Sequence, residues 1–281
     1  GVMAKLPKFL RTHPNIHAFK FYGNLIGDHG VHSLCQLLLN APDVSYLDIG
    51  CNDLTNQCLP GLLDIIRDTN VTSLQLGTRE VQFTSNKFSL MFLMDLIRVI
   101  ENTDKLECLG LDGTLLTDKT GSKRDTFLLQ FAQYIANSKK LSSLSLSNCG
   151  LTSREAELFT SQGISKCARL RYLDFHQTNL IEPVGSRFIN ELLSLDSLCF
   201  LDMSSCKLQS TAGPSISKLL NTSKMLSYLN LSSNELCNEG VKIILEALKN
   251  NRYIVEINLT GNKCTGAVAE ILHETIVQNK I

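Results

Sequence analysis

Three aromatic residues stand 28 positions apart in this chain, Tyr172, Phe200 and Tyr228, and two positions after each comes Asp174, Asp202 or Asn230. Tyr46 and Asp48 repeat the pair earlier, and Arg171 and His176 flank its first late occurrence. On an extended segment, residues two apart point to one face, so equal spacing sets these pairs in register on neighbouring segments. Exposed rings beside charges are the composition of an interface hot spot; the alternative is a ladder of rings that only pack on one another. A second group is cationic and lies in longer connections: Arg79, then Lys119, Lys123 and Arg124 around Gly121. Other chemistry is thin. His29 and His32 could offer two imidazole nitrogens to a metal, but only Asp28 stands near them, and a solvated helix edge accounts for the pair. The chain holds no G-x-x-x-x-G-K-S/T, no G-x-S-x-G and no H-E-x-x-H. Its ten cysteines make no C-x-x-C and no zinc knuckle. The residues predict a surface that binds a partner, with no catalytic group, metal or cofactor.

The elements that must carry these residues recur. Leu226-Ser-Tyr-Leu229-Asn-Leu231-Ser-Ser-Asn234-Glu-Leu236 is the pattern L-x-x-L-x-L-x-x-N-x-L, the leucine-rich-repeat signature in which a short strand turns into a loop. Its first position recurs at Ile16, Val44, Val71, Leu106, Leu141, Leu170, Leu198, Leu226 and Ile254. The differences between these positions are 28, 27, 35, 35, 29, 28, 28 and 28 residues. Between strands the apolar spacing turns helical: Leu34, Leu37, Leu38; Ile216, Leu219, Leu220; Ile244, Ala247, Leu248. The expected fold is an α/β solenoid with residues 16–281 as nine repeats. Strands pack about 4.8 Å apart and helices about 8–10 Å, so the stack curves into a horseshoe with a parallel sheet on the concave face and helices on the convex face.

The asparagine position reads Asn24, Asn52, Arg79, Thr114, Cys149, Thr178, Cys206, Asn234 and Asn262. An amide there bonds loop backbone groups that would otherwise be unpaired. Arg79 cannot do this while buried, so the third repeat must turn outward or find a partner. That repeat and the next each exceed the standard unit by 35 − 28 = 7 residues, and the surplus is placed around Val81–Lys87 and Asp118–Asp125. Extra loop on one edge either marks a binding projection or is tolerated drift. Leu6, Phe9 and Leu10 precede Ile16 as Leu34, Leu37 and Leu38 precede Val44. Residues 1–15 therefore read as the helical half of a preceding, truncated repeat, and the chain as a fragment of a longer protein.

Lys and Arg number 27 and Asp and Glu 27, so no net field favours nucleic acid or an anionic membrane. No run of about 18 apolar residues would insert in a bilayer. Unpaired cysteines at buried repeat positions suit a reducing compartment, read as the cytoplasm. On the expected concave wall Asp48, Glu107, Asp112, Asp174, Asp202 and Glu256 outnumber Lys20 and Arg171, which predicts a basic or amphipathic protein segment as partner.

Asn24-Leu-Ile26-Gly27-Asp28-His-Gly30 after Phe19-Lys-Phe21, and Asn234-Glu-Leu-Cys-Asn-Glu-Gly240, resemble the ribonuclease-inhibitor-like class of leucine-rich repeats over nearly the whole chain. The resemblance implies a cytosolic protein that binds others along its inner wall. Leu47-Asp-Ile-Gly-Cys-Asn52, Leu74-Gln-Leu-Gly77 and Leu106-Glu-Cys-Leu109, with their 27- and 35-residue units, are similar to the CARMIL-type regulators of actin capping. That resemblance implies a cytoskeletal role. The expected function is a non-catalytic protein-interaction scaffold. The alternatives are a regulator resembling Ran GTPase activators, with Arg79 and Arg124 on its edge, and an immune or pathogen-derived recognition domain. Sequence leaves the oligomeric state open.

Overall fold

A computed structural model describes His13 and residues 15–80, 84–116 and 124–269. The expected helix at residues 1–15 and the loop cations Lys119 and Lys123 lie outside the described residues, as does the side chain of Arg124. The chain divides into two compact units, Gly1–Tyr134 with Ser138–Gly150 and Ile135–Asn137 with Leu151–Ile281.

Each unit is a leucine-rich-repeat-type α/β stack, a layer of parallel strands backed by a layer of helices. The first unit holds β1 (Ala18–Lys20), β2 (Tyr46–Asp48), β3 (Ser73–Gln75), β4 (Cys108–Gly110) and β5 (Ser143–Ser145), paired in chain order. Its helices are α1 (Gly27–Leu38), α2 (Leu59–Asp68), α3 (Leu90–Thr103) and most of α4 (Arg124–Asn137). The second holds β6 (Tyr172–Asp174), β7 (Phe200–Asp202), β8 (Tyr228–Asn230) and β9 (Glu256–Asn258), again parallel and in order. Between and around these strands lie α5 (Ser153–Gln162), α6 (Val184–Glu191), α7 (Gly213–Thr222) and α8 (Cys237–Leu248).

The strands are only three residues long because the repeat supplies one inward leucine at the fourth position and another just past the strand end. Leu47, Leu74, Leu109 and Leu144 pair in register and are buried, as are Leu173, Leu201 and Leu229. Helix faces close the core behind them: Leu62, Ile65 and Ile66 on α2, Ile216, Leu219 and Leu220 on α7, Val241, Ile244 and Leu245 on α8. Burying each such side chain stabilises the fold by about 1.5–3 kcal/mol.

At every strand end except that of β3 the chain turns through a left-handed residue. It is Gly23, Cys51, Gly113, Asn148, Gln177, Ser205, Ser233 or Gly261, with φ between 53° and 72°. The buried asparagines then stitch neighbouring repeats. The Asn234 amide donates to the carbonyls of Met203 and Leu231, while its Oδ1 accepts the backbone N–H groups of Cys206 and Leu208. The Asn262 amide donates to Leu231 O and Leu259 O and that of Asn52 to Phe21 O and Gly50 O, while each Oδ1 accepts one N–H, of Leu236 and Ile26 respectively. Cys206 offers one S–H, shared between Phe175 O and Ser204 O. Helix starts are stapled as well: Asp28 accepts the N–H and hydroxyl of Thr55, and Asn56 and Ser89 exchange two bonds, as do Asn238 and Thr265.

Candidate functional site

On every strand the third and fifth positions point away from the leucine core. In the second unit the third positions are Tyr172, Phe200 and Tyr228, paired across β6, β7 and β8. Parallel strands at about 4.8 Å set facing rings at stacking distance. The Tyr172 and Phe200 centroids lie 4.1 Å apart with planes at 10°, and Phe200 and Tyr228 lie 4.3 Å apart at 2°. All three are half-buried. Their faces are therefore largely spent on one another, and the outward surface is a ridge of ring edges bearing the Tyr172 and Tyr228 hydroxyls. The next strand position in this row is Glu256, exposed on β9 opposite Tyr228.

The fifth positions behave differently from the sequence expectation. Asp174 and Asp202, expected to line the wall as an acidic row, are 0% and 2% exposed. The reason is local: a side chain as short as Asp folds back onto the backbone two residues on. Asp174 Oδ1 accepts His176 N–H at 2.9 Å, and Asp202 Oδ1 accepts Ser204 N–H at 2.9 Å and its hydroxyl at 2.5 Å. Asn230 caps Ser232 N–H and donates to Asp202 Oδ2 at 3.0 Å. Because the Ser204 hydroxyl gives its proton to Asp202, His176 Nδ1 is the donor in its 2.7 Å contact with that oxygen. These carboxylates close the strand-to-loop turn beneath the ring ridge. Arg171 stays exposed, its guanidinium 3.7 Å from Cys199 Sγ.

In the first unit Tyr46 and Asp48 sit on β2 with non-aromatic neighbours, Ser73 and Gln75 on β3 and Cys108 and Gly110 on β4. Asp48 is half-buried and caps Gly50 N–H at 3.0 Å. Burial raises its carboxyl above the usual range, partly offset by the Gly50 bond and by Lys20. The Lys20 ammonium stands 5.6 Å from the Tyr46 ring centroid. Beside them is a hollow of about 200 Å³, lined by Tyr22, Tyr46, Asp48, Gln75, Gly77, Thr78, Arg79, Glu80 and Asp112. Tyr22 hydrogen-bonds Thr78, and burial pushes its phenol up to about 12.

Arg79 is exposed. The asparagine it displaces is present seven residues later, an exchange that the sequence reading missed. Asn86, 4% exposed, donates to Ile49 O and Leu76 O and accepts the N–H groups of Asn52 and Leu54. The surplus of the third repeat thus falls between strand end and asparagine, and 86 − 79 = 7 equals that surplus. That equality was the available signal. In the fourth repeat Thr114 keeps the position, buried, and Leu116 follows it into the core.

His29 and His32 are both exposed on α1, and the Asp28 oxygens are taken by Thr55. No group of three or more metal-binding side chains gathers among the described residues, and none of their helices is long and apolar enough to cross a membrane. All ten cysteines are free thiols. Burial raises Cys58 and Cys206 to about 12, the opposite of an activated nucleophile.

No family model matches the chain, and no curated protein matches it. Among solved structures it is similar to a tropomodulin C-terminal domain from Caenorhabditis elegans, at 14% identity and TM-score 0.41, over 68% of this chain and 93% of that one. It is also similar to the actin-binding site 2 structure of leiomodin-1, at 10% identity and TM-score 0.39, over 66% and 88% of the two chains. The complex of Rad7 and Elc1 from yeast gives 14% identity and TM-score 0.48, over 94% of this chain and 74% of that one.

Proposed function

We propose that this chain is a non-catalytic protein-interaction scaffold whose second unit binds a protein partner on the strand face, across the Tyr172–Phe200–Tyr228 ridge. The observation that carries the reading is the stack itself. Three half-buried rings are held parallel at 4.1 and 4.3 Å on a face whose other side chains are polar. Rings already ordered by their neighbours lose little conformational freedom on binding, which is how aromatic anchors come to dominate an interface. Arg171, His176 and Asn230 supply directional contacts around them. The sunken Asp174 and Asp202 leave Glu256 as the carboxylate beside the ridge. The partner is therefore met by ring edges and hydroxyls first, and a basic or amphipathic segment suits them with Glu256 at one end. The resemblance of residues 47–109 to CARMIL-type proteins makes purified actin and capping protein the first partners to test. Retention of either on the immobilised chain, weakened about tenfold or more by Tyr172→Ala with Phe200→Ala at unchanged circular dichroism, is the expected result. Unchanged retention with an intact fold would move the site off the ridge.

A further inference from the structure

Two thiols of the second unit stand together on its loops and take no part in the ridge. Cys237 opens α8, and Cys264 follows 27 residues on, one repeat away. Both depart from what the repeat places there. Two positions after the asparagine position, Leu54, Leu151, Leu208 and Leu236 plug the core and are buried, whereas Cys264 takes that place in the ninth repeat and is exposed. Three positions after it, Thr55 and Ser89 cap helices with their hydroxyls, whereas α8 has no side-chain cap and Cys237 is half-buried. Its backbone is left-handed, φ 52°, a conformation that the first repeat gives to Gly27 at the same place. Core packing, capping and backbone preference all fail to account for sulfur at these two positions.

The two residues are pinned side by side. Asn262 O accepts Cys237 N–H at 3.0 Å, Asn262 Oδ1 accepts Leu236 N–H, and Asn238 and Thr265 exchange two bonds at 2.8 and 2.9 Å just beyond. Cys264 Sγ lies 3.7 Å from Cys237 O and 3.7 Å from Asn262 O, while Cys237 Sγ rests 3.5 Å from Glu235 O. A thiol is a weak donor, so turning either sulfur from one staggered position to another gives up little. Partial burial, and then the proximity of Cys237, raises the Cys264 thiol, because two thiolates this close repel. No third metal-binding side chain joins them among the described residues, so the pair falls short of a metal site and is suited to oxidation.

We propose that Cys237 and Cys264 form a reversible intramolecular disulfide when the chain meets a hydroperoxide, a modification site that ties the eighth repeat to the ninth. One thiolate attacks a peroxide oxygen, the O–O bond breaks, hydroxide leaves and a sulfenic acid remains. The second thiolate displaces hydroxide from that sulfur and forms the S–S bond. The pair loses two electrons, and its two protons leave with the two hydroxides as water. Exchange with a small thiol, itself oxidised to its disulfide, restores both cysteines. Cys108 and Cys199, each half-buried, belong to different units, and the remaining six cysteines are buried. One link per chain is therefore expected.

The test is tryptic mapping of the native chain after reduction, desalting, treatment with hydrogen peroxide and alkylation in denaturant. The expected product joins residues 225–242 to residues 264–280. It should be about 2 Da lighter than the two reduced peptides together, for the two hydrogens lost. It should form within a monomer whose other cysteines are all alkylated. The thermal midpoint should rise by about 5 °C on linking and return on adding a thiol. Cys237→Ser and Cys264→Ser should each abolish the link and the rise, with the reduced midpoint within about 2 °C of wild type. A stable sulfinic acid on either residue, a link to another cysteine or to a second chain, a midpoint that falls on linking, or no link in a chain of native circular dichroism would each overturn the assignment.

Discussion

The same short-strand lattice makes a ridge in one unit and a hollow in the other. On β6, β7 and β8 the third positions are all aromatic, and the rings fill the strand spacing by stacking. On β2, β3 and β4 they are Tyr46, Ser73 and Cys108, and the residues past the strand ends include Gly50 and Gly77. A leucine core identical in plan lies behind both. The difference teaches that the repeat fixes where a side chain stands, while the outward residue decides whether the place is filled or left open.

The hardest way to break this contrast is to crowd the backbone at Gly77, which lines the hollow. Gly77→Ala places a methyl group against backbone, where neither neighbour can rotate away. The expected loss is about 3 kcal/mol, the upper end for overpacking. Ser232→Ala, at the equivalent position of the eighth repeat and half-buried, should cost no more than about 0.5 kcal/mol. Urea unfolding of both variants checks the pair, and equal losses would mean that the close approach is not what distinguishes the first unit.

A smaller effect is expected on the ridge. Phe200 touches a ring on each side, whereas Tyr172 and Tyr228 each stack on one member of the trio. Phe200→Leu keeps part of the apolar area and removes both stacking contacts, each worth about 0.5–1.5 kcal/mol. The variant should lose about 2 kcal/mol. Tyr46→Leu, outside that stack, should lose less than about 1 kcal/mol. Denaturation midpoints at equal slope decide it, and a Tyr46 loss as large as that of Phe200 would remove stacking as the distinction.

Much of this architecture is legible before any coordinates. Leu226, Leu229 and Leu231 announce a strand and its buried face because a three-residue strand has no other way to anchor itself. Ring register followed from the 28-residue spacing for the same reason. Burial of Asp174 and Asp202 was hidden because period-two alternation tells which face a residue leaves from. It does not tell whether a short side chain then folds back onto the nearest N–H. Asn86 was hidden by counting the repeat from the strand alone: an insertion moves the residue that must satisfy Asn52 and Leu54, and the seven-residue surplus counted on from Arg79 is what locates it. The hollow was invisible because it lies where the backbones of successive repeats come close together. Gly50 and Gly77 read as ordinary loop glycines until the neighbouring backbone is seen where their Cβ atoms would stand.

Acid titration reads the Asp48 environment with the smallest perturbation. Asp48 lies on the open hollow, and burial raises its carboxyl above the unfolded value while the Gly50 bond and Lys20 pull the other way. A group raised in the folded state binds its proton more tightly there than in the unfolded chain. Its favourable contribution is complete below the unfolded value and is lost as pH climbs through the folded one. Wild type should therefore match Asp48→Asn in stability below about pH 4, the ordinary aspartate range. It should become the less stable of the two as pH rises toward neutrality. Other carboxylates titrate over the same range but cancel in the difference between the two proteins. Thermal unfolding at matched ionic strength measures it. A difference that is constant with pH would mean that the substitution acts through packing or the Gly50 turn. One that shrinks as pH rises would mean that the Gly50 bond and Lys20 outweigh burial.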